Sequence, residues 1–141
     1  REGSDARLNE TYFTSITARA LTGLGRLEGA RARLDQGREM ATTSGCVSEA
    51  ALLLQVESLW HARRGEPAEA LGAVDAAIAG MDRLESRIAA GRARLDRAAL
   101  RREAGDLDGA REDARAAAEA FATCGAAPDE TRAREWLAKL G

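Results

Sequence analysis

Apolar residues recur three or four positions apart along most of the chain, with polar residues between them. This spacing places apolar side chains along one side of an α-helix. The first such stretch predicts a helix from about Asn9 to Leu24. Its apolar stripe consists of Tyr12, Phe13, Ile16, Ala20, Leu21 and Leu24.

The same periodicity predicts a series of further helices that return on one another. Short turn sequences rich in Gly separate most of them, and the two prolines, Pro67 and Pro128, both stand where a helix is expected to begin. The junction at 82–84 has neither Gly nor Pro, so it is the least defined boundary. The expected helices run from about 28 to 42, from 48 to the Gly65 turn, from Pro67 onwards, and over 85–104, 108–123 and 130–140.

A short turn phrase recurs at a fixed interval. A Gly followed five places later by an Ala occurs at 25–30, 65–70 and 105–110, so the copies lie 40 residues apart. A period of this size is typical of stacked helix pairs, because one pair cannot bury its apolar side alone. The interval therefore predicts an all-α domain over 9–141, preceded by a flexible polar lead-in at 1–8. Its repeats are expected at about 9–45, 46–84 and 85–124, with a capping helix at 128–140.

Composition favours the same architecture. The chain is 45% hydrophobic but only 4% aromatic, and 32 of its 141 residues are Ala, which allows helices to approach closely. The net charge of −2 lacks the basic excess of a nucleic-acid binder. One dense basic stretch, at 87–102, is interrupted by acids and faces an acidic neighbouring helix. It is therefore expected to be a salt-bridged surface and not a nucleic-acid site.

The sequence contains little that points to catalysis. His61 is the only histidine, and Cys46 and Cys124 have no partner at metal-binding spacing. Neither a phosphate-binding loop nor an apolar run of membrane-spanning length is present. We therefore expect no enzyme activity, cofactor, metal or membrane partner. Each Cys is expected to be a small buried hydrophobe in a reduced, cytoplasmic setting.

The three turns resemble those of the tetratricopeptide repeat family. That family's turn Gly matches Gly25, Gly65 and Gly105, and its paired small residues match 18, 58 and 98 before the turn and 30, 70 and 110 after it. The resemblance implies a right-handed α-α solenoid of three helix pairs and a capping helix. The period of 40 differs from the usual 34, and the family's large aromatics are mostly missing. HEAT-type helix pairs, whose period is about 40–47, remain the alternative.

A second resemblance concerns the C-terminal part of the chain. The phrases at 121–126 and 131–137 are similar to the end of the helical arrays in large bacterial ATP-dependent transcriptional activators of the LuxR and maltose-regulon types. This implies that the chain is a segment of a bacterial signalling or transcription regulator. No DNA-binding helix-turn-helix or nucleotide-binding loop is present in the sequence itself.

The repeat resemblance also implies where a partner binds. The first helix of each pair would line a concave surface that accepts a peptide or a partner domain, including another domain of the same protein. Internal packing of that surface is an equally weighted reading. A homodimer formed through the apolar groove is the alternative function. The expected partner-binding residues are Tyr12, Ile16, Arg19, Leu52, Gln55, Val56, Leu59, Arg63, Arg92, Asp96 and Arg102.

Overall fold

The computed structural model describes the backbone of residues 2–140 and the side chains of residues 10–140. Arg1 and Gly141, the outer ends of the predicted lead-in and repeat domain, lie outside the described residues. Within residues 2–140 the chain forms seven α-helices and no strand, which confirms the all-α prediction. The helices are α1 (Glu2–Gly23), α2 (Leu27–Ser44), α3 (Val47–Arg63), α4 (Pro67–Arg83), α5 (Arg87–Glu103), α6 (Leu107–Thr123) and α7 (Ala127–Leu140).

The helix starts agree with the sequence signals, with one exception. Pro67 is the first residue of α4, and Pro128 lies in the first turn of α7. A proline is tolerated there because the missing N–H would have no partner within the helix. The exception is α1, which begins at Glu2 and not near Asn9. No proline interrupts the polar residues 2–8, so the helix extends through most of the segment that was expected to be a flexible lead-in.

The turns follow a shorter period than the sequence phrase suggested. Gly25, Gly45, Gly65, Gly105 and Gly125 all have a positive φ, and Glu85 (φ 56°) takes the same place in the turn between α4 and α5. At each turn the next N–H donates to a carbonyl five residues earlier, as from Arg26 to Leu21 (2.9 Å). This is a Schellman closure, which a left-handed residue makes possible. The backbone geometry therefore repeats every 20 residues, and each repeat consists of one helix and one turn.

Small residues lie where neighbouring helices meet. The predicted pairs are all fully buried, at 18 and 30, 58 and 70, and 98 and 110. In the second pair the Ser58 hydroxyl donates to the Ala70 carbonyl oxygen across 2.7 Å, which joins α3 to α4 directly. Small side chains at these places allow two helices to approach closely.

Backbone packing divides the chain into two compact units, Arg1–Gly80 (unit 1) and Met81–Gly141 (unit 2). In unit 1, α1 packs on α2 and α3, and α2 packs on α3. The core of these three helices combines alanines with Leu34, Leu53, Val56 and Trp60.

In unit 2, α6 packs on both α5 and α7. Its largest fully buried side chain is Phe121, which lies among Leu95 and the small residues Ala114, Ala117 and Ala133. The predicted capping helix is α7, and its Leu140 and half-buried Trp136 pack against Ala98 and Ala110.

Candidate interaction surfaces

The outward side of α1 is apolar, whereas its inward side carries small hydroxyl residues. Tyr12, Phe13 and Ile16 are 53%, 63% and 45% exposed. The stripe that predicts this helix therefore marks largely its exposed side. The buried residues of the described part of α1 are Thr11, Thr14, Ser15, Ala18 and Thr22.

The hydroxyl residues can be buried because their own helix satisfies them. Thr14 donates to the Glu10 carbonyl oxygen (2.7 Å), and Thr22 donates to the Ala18 carbonyl oxygen (2.8 Å). Such bonds to a preceding turn leave a short aliphatic surface facing the neighbouring helices. This arrangement frees the apolar side of α1 to face outward.

Most of the partner-binding residues predicted in unit 1 lie on α1 and α3. Tyr12, Ile16 and Arg19 are exposed, Leu52 and Leu59 are half-buried, and Arg63 is exposed. The guanidinium of Arg63 donates to the carbonyl oxygen of Gly23 (3.3 Å), so the ends of α1 and α3 are adjacent. We call this set the α1–α3 surface: Tyr12, Ile16, Arg19, Leu52, Leu59 and Arg63.

Two residues of the predicted set are not accessible. Gln55 and Val56 are 6% and 4% exposed, and Val56 packs in the core of unit 1 with Leu53 and Trp60. Their side chains therefore cannot contact a partner in this structure. The correspondence between repeats predicts on which side of its helix a residue lies. It does not predict which neighbouring helix covers that side, so the burial of Gln55 and Val56 was not predicted.

The partner-binding residues predicted in unit 2 either contact α7 or are half-buried. Arg92 forms a two-point pair with Asp129 (2.9 and 3.2 Å), and Arg102 stacks on Trp136 with 4.4 Å between the guanidinium carbon and the ring centroid. The hydrogen bond from Arg92 holds the pKa of Asp129 below its usual value. Asp96 is half-buried. These charges stabilise the contact between α5 and α7 within unit 2.

Most arginines of the basic stretch of α5 pair with acids, as its charge pattern predicted. Asp113 on α6 is buried and accepts hydrogen bonds from Arg97 (2.7 and 3.0 Å) and from Arg101 (2.9 Å). Arg94 pairs with Asp82 (2.8 Å). Each guanidinium of the stripe Arg94, Arg97 and Arg101 is therefore held by a carboxylate, which weakens its attraction to a phosphate backbone.

A second arginine–carboxylate network, between α2 and α3, was not predicted. Glu57 on α3 pairs with Arg31 (3.0 Å) and with Arg38, both from α2. Burial raises the pKa of Glu57, but the hydrogen bonds and charges of Arg38 and Arg31 outweigh it, so the pKa lies below its usual value. Next to this network the indole of Trp60 donates to the Leu27 carbonyl oxygen (2.8 Å) and lies under Arg31 and Arg64.

Two shallow grooves accompany these helices in unit 1. One, of about 410 Å³, runs between α1 and α2, with Phe13 and Met40 as its apolar residues and polar residues beside them. The other, of about 220 Å³, lies between α2 and α3 over Leu53 and Leu54. Neither is lined by a cluster of titratable groups of the kind that marks a catalytic pocket.

The residues considered for catalysis have structural surroundings. His61 makes a hydrogen bond through Nδ1 with Glu66 (2.9 Å), and its ring packs edge-on against Trp60. Both cysteines are free thiols, Cys46 half-buried and Cys124 exposed. The expectation that each is a buried hydrophobe is therefore wrong for Cys124, which ends α6 at a turn and not inside the core. Among residues 10–140, no three His, Cys, Asp or Glu side chains come together as a metal-binding group.

In the part of the chain that the structure describes, every helix is too short or too polar to cross a membrane. No protein-family model matches the chain, and no curated protein is similar to it. The tetratricopeptide resemblance therefore stays a prediction from the turns.

Proposed function

We propose that the chain is a protein-interaction module in which the α1–α3 surface binds a peptide or a partner domain. The observation that supports this most directly is the orientation of α1. This helix turns Tyr12 and Ile16 outward while its inward side is filled by hydroxyl residues. Exposed apolar groups that lie together commonly mark an interaction surface.

The composition of the surface suggests how it would discriminate between partners. Tyr12, Ile16, Leu52 and Leu59 offer apolar contact, which supplies affinity, and Arg19 and Arg63 add positive charge near one end. Charges at the rim of an interface set register and partner choice more than affinity. The preferred ligand would be an amphipathic segment with an apolar side and an acidic end.

Peptide selection tests this proposal. We would select peptides from a random library on the intact chain and measure their affinity for Ile16→Asp. The matched control is Val47→Asp, since Val47 is another exposed apolar residue, at the start of α3. We expect at least a tenfold loss for Ile16→Asp, about 1.4 kcal/mol, and no change for Val47→Asp. Equal binding to both variants would place the binding site elsewhere.

A structural homodimer is the second candidate, because the same apolar side chains could meet a second copy. Light-scattering mass measured against concentration separates the two functions. A dimer that Leu59→Glu abolishes would support self-association. A monomer at every concentration would leave the α1–α3 surface available for a peptide or domain.

The wider architecture and setting are part of the proposal. The repeated turns and the buried small pairs support a right-handed α-α solenoid of three tetratricopeptide-like pairs with α7 as the cap. The similarity of 121–126 and 131–137 to bacterial activator arrays supports a signalling or transcriptional regulator, and the two free thiols fit a reducing cytoplasm. Neither direct nucleic-acid binding nor catalysis is proposed.

A further inference from the structure

We propose that a second face of α1 binds an amphipathic helix, in the way that α3 binds α2 within unit 1. This end face consists of Phe13, Thr17, Ala20 and Leu24. None of the four belongs to the α1–α3 surface, so the proposal does not rest on the function proposed above.

The internal repeat says what covers such a face. The 40-residue register that relates Gly25 to Gly65 places Phe13, Thr17 and Ala20 at the positions of Leu53, Glu57 and Trp60 on α3. It places Leu24, just after α1, at the position of Arg64, just after α3. These positions therefore lie on the same side of α1 and of α3. On α3 a neighbouring helix packs against that side.

On α3 the neighbour is α2. Leu53 fills the space beside Gly37 so closely that a Cβ added to that glycine would lie 2.7 Å from the leucine Cδ2. Glu57 is held by two arginines of α2, and the Trp60 indole donates to the carbonyl oxygen at the start of α2. Both Leu53 and Trp60 are buried as a result.

On α1 the corresponding positions are open. Phe13 and Leu24 are 63% and 71% exposed, and Thr17 and Ala20 are exposed as well. The groove of about 410 Å³ between α1 and α2 runs along this face and includes Phe13, Thr17 and Met40. An incoming helix would bury Phe13 between itself and this groove.

The residues of the end face define the chemistry of the partner. A small residue, Gly or Ala, is expected opposite Phe13, as Gly37 lies opposite Leu53. The position of Glu57 is taken by Thr17, so the partner needs no arginine pair there. Affinity would come mainly from Phe13 and Leu24, because large apolar side chains removed from water dominate such contacts. Ala20 would allow the incoming helix to approach closely.

A tandem chain tests the proposal. Duplicating residues 7–46 in register ahead of residue 7 supplies a second copy of α2 next to the original α1. If the new helix packs on the end face, amides of the original residues 10–24 should exchange with solvent about tenfold more slowly than in the natural chain. Phe13→Asp in the original repeat should remove this protection.

The same substitution in the added repeat is the matched control. Its Phe13 again lies at an open end, so Phe13→Asp there should leave the protection of the original α1 unchanged. Equal effects at the two places would overturn the proposal. So would an added repeat that exchanges as an unfolded segment while the rest keeps its natural protection.

A second copy of the chain is the competing occupant of this face. Light scattering on the natural chain decides between the two, with Phe13→Asp as the variant and circular dichroism as the check on folding. A concentration-independent monomer supports the helix as occupant. A dimer that Phe13→Asp abolishes would assign the end face to self-association and overturn the proposal. Selection of peptides that depend on Ile16 tests the α1–α3 surface independently of either result.

Discussion

The two units use the same backbone repeat but different chemistry to join their helices. Unit 1 has a core in which Leu34, Leu53, Val56 and Trp60 pack among alanines. Its carboxylate Glu57 lies at the edge, paired with arginines from the preceding helix. Unit 2 has a core rich in alanine around Phe121, and its carboxylate Asp113 is buried between two arginines.

In the 40-residue register, the position of Glu57 in unit 1 is that of Arg97 in unit 2. At this position unit 1 has an acid, which pairs with arginines of the preceding helix. Unit 2 has a base, which pairs with an acid of the following helix. The turn geometry and the small buried pairs therefore specify the repeat, whereas the chemistry that joins its helices is free to change.

Asp113→Asn should produce the largest effect. The substitution removes the buried carboxylate charge that Arg97 and Arg101 share, and breaking a buried pair in this way costs about 3–5 kcal/mol. Urea unfolding of the variant against the natural chain measures it. A loss under 1 kcal/mol would mean that the arginines reach water easily and that the buried network contributes little.

Gly91→Ala tests the packing of unit 2, and Gly37→Ala is its counterpart in unit 1. A Cβ at Gly91 would lie 2.7 Å from Cε1 and 2.9 Å from Cζ of the Phe121 ring, whereas one at Gly37 would meet the end of Leu53. The rigid ring cannot rotate away as a leucine can, so Gly91→Ala should cost roughly 1–3 kcal/mol.

Gly37→Ala should cost less, because the end of Leu53 can move away from the added Cβ. The better helix propensity of Ala, worth up to about 1 kcal/mol, favours both variants equally. Chemical unfolding of the pair tests this order. Equal losses would show that the two cores are equally rigid.

Glu57 provides the milder electrostatic test. Because folding lowers its pKa below the usual 4.5, its stabilisation is complete above that value and is lost as the pH falls through the lower folded-state pKa. Glu57→Gln should cost about 1 kcal/mol at pH 7, since its partner Arg38 is largely exposed. The difference between the two proteins should shrink as the pH falls below 4.5 and through the lower pKa of the folded state. A difference that does not depend on pH would exclude the ion pair as its cause.

Glu85→Gly should have the smallest effect and the opposite sign. Glu85 holds the left-handed conformation that glycine takes at the other turns of this type, and glycine adopts it without the clash of a Cβ. We expect the free energy of unfolding to rise by at most about 1 kcal/mol. Gly65→Ala, at another turn of the same type in unit 1, should lower the free energy of unfolding by a similar amount. The melting midpoints of the two variants should therefore move in opposite directions.

Features set by a residue's own backbone preference were predicted correctly, whereas features that depend on neighbouring helices were not. The turn phrases at 25–30, 65–70 and 105–110 and the helix-starting prolines correctly indicated helices and turns, because a residue's own φ preference acts there. The turn at Glu85 was not recognised as one of the series, since nothing in glutamate announces a positive φ. The prediction for Cys124 failed because exposure depends on neighbours. Among the residues predicted to bind a partner, Tyr12 and Ile16 are exposed, as such a role requires, whereas the burial of Gln55 and Val56 was not predicted.

The sequence by itself determined the helical class, the approximate helix bounds and the close small-residue contacts of this protein, because periodicity and turn residues act over a few positions. Only the tertiary structure decided which side of each helix is covered. Tyr12 and Thr14 are equally compatible with helix α1, and the hydroxyl of Thr14 is satisfied by its own backbone, so hydropathy could not tell which would be buried. The partners of Glu57 and Asp113 were decided in the same way, since pairing requires side chains from separate helices to meet.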